Sequence, residues 1–167
     1  MKDAIGSTML VYIFIIIVGI VGAVLIASNM YTNAYKAKNN IIRAIDRYYQ
    51  VRSDSNSECF DDTNCINGIS SMLKDMGYHI KNDNLCYSKK ILNKVGKIAA
   101  EDGSIPDLVY PKPDDDFNGY CVFRNDLSNT DYYYTVVTFS HLNVPVFGFG
   151  SLFLSPVYGE TRTFYEG

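Results

Sequence analysis

An apolar run near the N-terminus, Met9 to Ala27, constrains this chain more than any other feature. Nineteen successive residues are apolar or small, and no side chain from Ala4 to Tyr35 is charged. The hydrocarbon core of a bilayer is about 30 Å thick and takes about 20 helical residues to cross. Since a backbone in lipid must satisfy its own hydrogen bonds, the run predicts one membrane-spanning helix.

The run is typical of an uncleaved anchor rather than of a secretory signal. Signal peptides have apolar regions of about 7–15 residues followed by a small-x-small cleavage site. Here the run is longer, and Leu25 fits poorly at the third position before a cut after Ala27. We therefore predict that the helix remains in the mature protein.

The helix is predicted to continue beyond the membrane. From Asn29 to Val51 there is no Pro or Gly, and apolar or aromatic residues recur at steps of three and four, typical of an amphipathic helix. We predict one helix from Ala4 to Val51, about 70 Å long. The chain then divides into an N-terminal segment with the transmembrane helix (1–28), an amphipathic stem (29–52) and a head (53–167). The recurring residues could pack on the head or on neighbouring subunits; they are Tyr31, Ala34, Tyr35, Ile41, Ile42, Ile45, Tyr48 and Tyr49.

Charge is distributed unevenly along the chain. Residues 1–52 carry six Lys/Arg and two Asp, a net charge of +4, whereas the overall charge of −3 leaves −7 for the remainder. A head this acidic is a poor nucleic-acid binder, because binding requires side chains that neutralise phosphates. The basic stem could lie close to anionic lipid headgroups.

Four cysteines, all in the head, predict a disulfide framework on the oxidising side of a membrane. Of three possible connectivities we favour Cys59–Cys65, a short loop, and Cys86–Cys121, a link between distant segments. The spacing contains no CxxC pair, which argues against zinc. The positive-inside tendency, counted on Lys36, Lys38 and Arg43, would instead place the head in the cytoplasm. We follow the cysteines, because Lys36 lies nine residues beyond Ala27.

The head is predicted to be α+β. Ile66–Met76 has a helical apolar face, and Gly77 fits the position just past its end. Segment 78–80 and Asp107–Tyr110 could be brief strands, and 88–100 is an ambiguous helix. Tyr120–Arg124, Tyr132–Leu142 and Ser151–Tyr165 are strand-like, with a hairpin between the first two. The last stretch could be one long bent strand or two short ones. Pro156 marks an edge or a bulge and Gly159 allows a kink. We expect an antiparallel sheet of three or four strands with the stem across one face, and at least one ring of Tyr132–Tyr134 in the core.

No constellation of residues predicts an enzyme or a cofactor site. His79 and His141 lack metal-ligand spacing, no serine lies in a GxSxG context, and no Gly-rich loop opens a helix after a strand. The acidic run Asp114–Asp116 could offer oxygen ligands to Ca²⁺, but its spacing does not match an EF-hand and we favour a solvated acidic loop. We predict a non-enzymatic chain without a cofactor, a nucleic-acid partner or a small-molecule substrate.

Two stretches resemble the type IV pilin superfamily, and within it the TadE-like pseudopilins of tight-adherence (Flp) pili. The first is GSTMLVY, Gly6–Tyr12: the family is cut after a small residue and carries Glu and then an aromatic residue at mature positions five and six. A cut between Gly6 and Ser7 places Tyr12 at the sixth position, but Val11 replaces the Glu. The second is the closing pattern YYYTVVTFSHLNVPVFG…LSPVYGETRTF, with its Gly-x-Thr step.

The resemblance implies a structural subunit, a minor pilin or pseudopilin of a bacterial pilus or secretion system, with its head outside the cell membrane. Its partners would be the membrane, similar subunits and the assembly machinery. Gly19 and Ala23 form a small-xxx-small pair that would let neighbouring helices approach. The alternative is a membrane-anchored binding or sensory module that does not polymerise. The residues expected on the assembly helix are Tyr12, Gly19, Ala23, Tyr31, Tyr35, Ile42 and Tyr49.

Overall fold

The computed structural model describes residues 2–51, 58–78, 80, 85–88, 91–92, 94–95, 107–112, 119–128, 131–142 and 153–165. The fold is α+β, as predicted: a long N-terminal helix packs on a small antiparallel sheet. Its elements are α1 (Lys2–Val51), α2 (Thr63–Asp75), β1 (Asp107–Tyr110), β2 (Tyr120–Asp126), β3 (Asp131–Leu142), β4 (Phe153–Glu160) and β5 (Phe164–Tyr165).

The long helix α1 is continuous over 50 residues, close to the predicted bounds. Its N-terminal half stands clear of the head, and its first fully buried side chain is Ala34. From there Ala37, Ile41 and Ile45 are also fully buried. Their spacing of three to four residues places them on one side of the helix, which is the side that faces the sheet.

The sheet is antiparallel with β3 at its centre. The strand order is β1-β2-β3-β4, and β5 pairs with the beginning of β3. The predicted hairpin between the second and third strands forms, with Tyr120 opposite Thr138 and Asp126 opposite Tyr132. The described part of the stretch 151–165 forms two strands, one of the two predicted alternatives, and the sheet of the described residues has five strands instead of three or four. Pro156 lies on β4, the last strand of the described order, as expected of a residue that cannot donate to a ladder.

Helix α2 begins three residues earlier than predicted, because Asp62 caps it. The Asp62 carboxylate accepts from the backbone N–H of Asn64 at 2.9 Å. Gly77 follows the helix with a φ of +67°. The N–H groups of Gly77 and Tyr78 donate to the carbonyls of Lys74 and Leu73, a Schellman motif. Tyr78 and Ile80 are buried but belong to no strand, since the N–H of Tyr78 is used by the cap.

Both disulfides have the favoured pairing, Cys59–Cys65 and Cys86–Cys121. The first closes the loop that leads into α2. The second ties β2 to the segment around residue 86, from which residues 91–92 and 94–95 continue in helical conformation. All four sulfurs are therefore part of the covalent frame of the head.

Strand β3 is buried on both of its faces. Tyr132, Tyr133 and Tyr134 are all buried, although side chains of successive strand residues point to opposite faces. Thr135 and Val137 on one face and Val136 and Thr138 on the other are fully buried as well. Tyr132 and Tyr134 belong to the hydrophobic core cluster, which confirms the expectation that at least one of the three rings lies in the core.

Candidate assembly helix and its junction with the head

The N-terminal half of α1 is an apolar helix that the head does not cover. None of its most apolar 18-residue window is buried, and by length and composition it could cross a membrane. Large side chains are exposed all around it, among them Tyr12, Phe14 and Leu25, each at least 65% exposed. Continuous apolar surface of this extent marks a region that contacts lipid or other proteins. The geometry thus presents a candidate membrane span and, on the same residues, a candidate assembly surface.

The residues predicted for assembly separate into two groups. Tyr12, Tyr31 and Tyr35 are exposed, and Gly19 and Ala23 lie on the bare part of α1. No heavy atom comes within 4 Å of a Cβ built on Gly19. Ile42 and Tyr49, by contrast, pack against the core of the head. Gly6 and Ser7 lie within the α1 backbone, but their side chains are not among those described.

Tyr49 joins the stem to the centre of the head. Its hydroxyl lies 2.7 Å from that of Tyr134, and the N–H of Cys59 donates to it at 3.4 Å. Its ring centroid is 4.3 Å from that of Phe164 and 6.0 Å from that of Tyr134. Burial raises the pKa of both tyrosines, and most strongly that of Tyr134. The C-terminal end of α1 is thus held by a packed aromatic cluster and by hydrogen bonds.

Further toward the N-terminus of α1, the helix approaches the sheet at Gly159 and Thr138. A Cβ on Gly159 would lie 2.6 Å from Cδ of Lys38 and 2.9 Å from Cδ1 of Ile42, so a larger residue there would force these two side chains to shift. The expected kink at Gly159 is therefore better described as a close approach of helix and strand. The hydroxyl of Thr138 donates to the carbonyl of Ala34 at 2.9 Å.

The Gly-x-Thr step has a structural role at both of its ends. Two residues beyond Gly159, the N–H of Thr161 donates to the carbonyl of Tyr134, and the N–H of Tyr134 donates to the hydroxyl of Thr161, both at 2.9 Å. A side chain thereby replaces a ladder bond where β4 ends and β5 begins. The pattern was visible in the sequence, but the partners of both residues come from distant segments.

Asp46 forms a weaker contact between the stem and the end of the sheet. Its Oδ1 lies 3.9 Å from Nε of Arg162, and the Arg162 guanidinium donates to the Asp46 carbonyl at 3.5 Å. Burial raises the pKa of the Asp46 carboxyl, and the opposing attraction of Arg162 is the smaller effect. Sequence analysis did not identify this pair, since 116 residues separate its members.

The described residues contain no group of His, Cys, Asp or Glu that could hold a metal ion. Asp114–Asp116 and His79, together with the side chain of His141, lie outside the described residues. Two shallow grooves run between α1 and α2, with volumes of about 340 and 440 Å³. Sequence analysis did not predict them, because a groove between two helices depends on how they pack.

Comparison of the chain with protein-family models, with curated proteins and with solved structures finds no match.

Proposed function

We propose that this chain is a non-enzymatic structural subunit, of the minor pilin or pseudopilin kind, that assembles through the N-terminal half of α1. In this proposal the helix spans a bacterial cell membrane before assembly and exchanges lipid for neighbouring helices during it. The head remains on the extracytoplasmic side. The partners are pilin-like subunits and the machinery that assembles them.

The observation that carries the proposal is the continuity of α1 across two environments. One uninterrupted helix runs from residues with no cover into residues that form the core of the head. A receptor that only needs tethering can use a flexible linker. A rigid helix that is part of the core of the head instead fixes the position of the head relative to the apolar segment. Packing of the apolar segments against one another then determines where each head lies.

The composition of the exposed segment supports helix packing as well as membrane insertion. Without a hydrophobic driving force between helices in lipid, association relies on close packing at small residues. Gly19 and Ala23 are one turn apart on the uncovered part of the helix. The two disulfides favour an oxidising compartment for the head.

Photo-crosslinking in native membranes tests the proposal directly. A photoreactive amino acid at Tyr12 or at Val21 should yield adducts with other copies or with similar single-helix subunits. The same probe at Tyr87, which is exposed on the head, serves as a control for random collision. The intact mass should correspond to a chain that begins at Ser7. All four cysteines should resist alkylation until the protein is reduced. The proposal would be contradicted if the probes formed adducts with lipid only, if the mature chain retained Met1 and if the four cysteines were free thiols.

A second candidate function is a membrane-anchored module that binds a ligand without polymerising. The groove of about 440 Å³ beside α1 is the observation that favours it. This candidate predicts paired cysteines and a retained Met1, with no adducts between helices at Tyr12 or Val21. The same crosslinking experiment therefore separates the two functions.

A further inference from the structure

Lys38 is a basic residue of α1 that the head covers almost completely. Only 8% of its surface is exposed, although it carries a charge and lies just four residues beyond Ala34. Its aliphatic chain packs on β4, where a Cβ on Gly159 would lie 2.6 Å from its Cδ and 2.9 Å from its Cε. Lysine side chains commonly bury the aliphatic part and extend the ammonium toward a polar medium. The packing of Lys38 therefore directs its ammonium to one defined place.

The ammonium of Lys38 lies over an aromatic ring and has no anionic partner within the described structure. Its Nζ is 4.1 Å from the centroid of the Tyr35 ring. None of the ion pairs among the described residues includes Lys38. Glu160 follows Gly159 on β4, but it lies opposite Thr135, on the face of the sheet away from α1. A charge that is withdrawn from water needs a counter-charge, so this position favours an anion from outside.

Two tyrosines lie beside Lys38 on the same side of α1. Tyr31, Tyr35 and Lys38 are separated by four and three residues, the steps that return to one side of a helix. Tyr31 is 51% exposed and Tyr35 is 47% exposed. Tyrosines next to an apolar membrane helix are typical of the interface with water, where their rings lie at the level of the lipid headgroups. We call these three residues the interface cluster.

The length of the uncharged part of α1 places the interface cluster at the headgroups of a bilayer. No side chain between Asp3 and Lys36 is charged, a stretch of 32 residues. At 1.5 Å per residue this stretch is about 48 Å long. A tilt of about 20°, the average for membrane helices, reduces its span to about 45 Å. A bilayer with its headgroups is about 40–45 Å thick, so Tyr35 and the ammonium above it reach the headgroups on the side of the head.

We propose that the interface cluster binds the phosphate of an anionic lipid headgroup through the ammonium of Lys38. The phosphate supplies the counter-charge that the described residues lack, and the rings of Tyr31 and Tyr35 contact the adjoining part of the lipid. Because Lys38 packs on β4 as well as belonging to α1, the bound lipid holds the head itself against the membrane surface. The inference rests on the membrane-spanning α1 of the proposed function and adds to it the class of lipid that the junction of α1 and the head recognises.

Lys36 provides a matched control, because it has the same charge at nearly the same height on α1. It is two residues from Lys38, which at about 100° per residue places it on nearly the opposite side of the helix. Lys36 is exposed, and it too takes part in no ion pair within the described part of the chain. A general attraction of the basic stem to anionic lipid would use both lysines alike, whereas the proposed site uses Lys38.

Native mass spectrometry of the full chain in neutral detergent measures lipid binding directly. Phosphatidylglycerol is titrated into the wild type, Lys38→Met and Lys36→Met, with zwitterionic phosphatidylcholine as the reference lipid. The wild type should bind phosphatidylglycerol about tenfold more tightly than phosphatidylcholine, since the ammonium then meets a net negative charge. Lys38→Met should lose this preference and Lys36→Met should keep it.

The stability of Lys38→Met without lipid separates lipid binding from a structural role. Methionine keeps an unbranched side chain that can pack on Gly159, and it removes a charge that has no described counter-charge. Its melting temperature in neutral detergent should therefore equal or exceed that of the wild type. A folded variant that melts lower would reveal a partner for Lys38 within the protein and would overturn the inference.

Tyr35→Leu gives a second test at a half-exposed position, and it decides the matter if Lys38→Met does not fold. Loss of the ring beneath the ammonium should reduce the preference for phosphatidylglycerol about threefold. An unchanged preference in this variant would overturn the inference, because the ammonium would then not bind lipid from its place over the ring.

The remaining outcomes separate this inference from the proposed function. Equal losses in both lysine variants would show that the charge of the stem alone attracts the lipid, and inorganic phosphate that displaces phosphatidylglycerol at equal concentration would make a free anion the occupant; either result would overturn the inference. Adducts at Tyr12 and Val21 without any lipid preference would leave assembly through α1 intact and exclude this site. A lipid preference without those adducts would retain the site and favour the anchored module that does not polymerise.

Discussion

Tyr49 is the residue at which the stem and the head depend most directly on each other. It lies on α1, yet its ring packs on Phe164 and its hydroxyl bonds with that of Tyr134. A buried hydroxyl that loses its partner costs more than the net value of the bond, because it has also lost water. The pair is therefore a sensitive probe of how firmly α1 is held.

We expect Tyr49→Phe to lower the free energy of unfolding by about 1–2 kcal/mol, because it leaves the hydroxyl of Tyr134 without this partner. Denaturant unfolding followed by near-ultraviolet circular dichroism measures the loss. Tyr31→Phe is the control, since Tyr31 is about half exposed and contributes nothing to the core. Equal stability of the two variants would show that the hydroxyl pair is not an important contact.

Two glycines should respond in opposite directions to alanine. At Gly159 a Cβ would lie 2.6 Å from Cδ of the buried Lys38, and we expect a loss of about 1 kcal/mol as the side chains of Lys38 and Ile42 shift to make room. At Gly68, inside α2, nothing lies within 4 Å, so alanine should add about 0.5–1 kcal/mol through its helix propensity. Melting temperatures of both variants test the pair; a stabilising Gly159→Ala would contradict the close approach.

At the scale of elements, α1 contains two segments that are stabilised by different surroundings. Its C-terminal half is stabilised by the sheet, where Ala34, Ala37, Ile41 and Ile45 are fully buried. Its N-terminal half has no protein cover in the described structure. Isolated helices are marginal in water, and this segment would gain its stability from lipid or from neighbouring helices.

The two disulfides should differ in their contribution to stability, because they close loops of different length. The Cys86–Cys121 bond spans 35 residues and the Cys59–Cys65 bond spans six. Loop-closure entropy predicts a loss of about 4 kcal/mol for the double serine variant of the first pair and about 2 kcal/mol for the second. Chemical unfolding of the two variants measures the difference. The reverse order would show that native packing around the short loop outweighs chain entropy.

At the scale of the whole molecule, the buried tyrosines make stability sensitive to alkali. Burial raises the pKa of Tyr49, Tyr78 and Tyr134 above the ordinary value of 10.0. Above pH 10 the unfolded chain therefore binds fewer protons than the folded chain, so stability falls as pH rises. Below pH 10 these groups are protonated in both states and contribute no slope.

We expect unfolding free energy to be independent of these tyrosines below pH 10 and to decrease steadily above it. Tyr49→Phe should reduce the slope, whereas Tyr165→Phe should leave it unchanged, since Tyr165 is 78% exposed. Unfolding curves at a series of pH values, with tyrosinate absorbance recorded in parallel, check both statements. Tyrosinate that forms fully near pH 10 in the folded protein would contradict the burial argument.

A chain that begins at Asn29 should fold without the apolar N-terminal half of α1. The fully buried residues of α1 start at Ala34, so the truncation removes no described core contact. We expect the truncated protein to remain in solution after sedimentation of membranes and to retain both disulfides and a cooperative unfolding transition. An aggregated or molten product would show that the apolar half of α1 stabilises the head.

Local signals made much of this architecture predictable from the sequence. Uninterrupted apolar character, the three-to-four-residue periodicity that follows it and alternating β-branched and aromatic residues specify α1 and the main strands through short-range physics. Gly77 indicated the end of α2, because few other residues adopt a positive φ readily. The cysteine pairing followed from a count of four and from the proximity of Cys59 to Cys65.

Only the tertiary structure decided which surfaces of those elements meet. Ile42 and Tyr49 belong to the same periodic stripe as Tyr31 and Tyr35, yet the head covers only the first two. Tyr31 precedes the first fully buried residue, Ala34, whereas Tyr35 is exposed on another side of the helix at the level of that residue. Gly159 contacts a helix more than a hundred residues away, and Tyr132–Tyr134 are all buried because both faces of β3 are covered. A sequence determines local conformation and hydrophobic pattern, whereas close approach and burial depend on how distant segments pack.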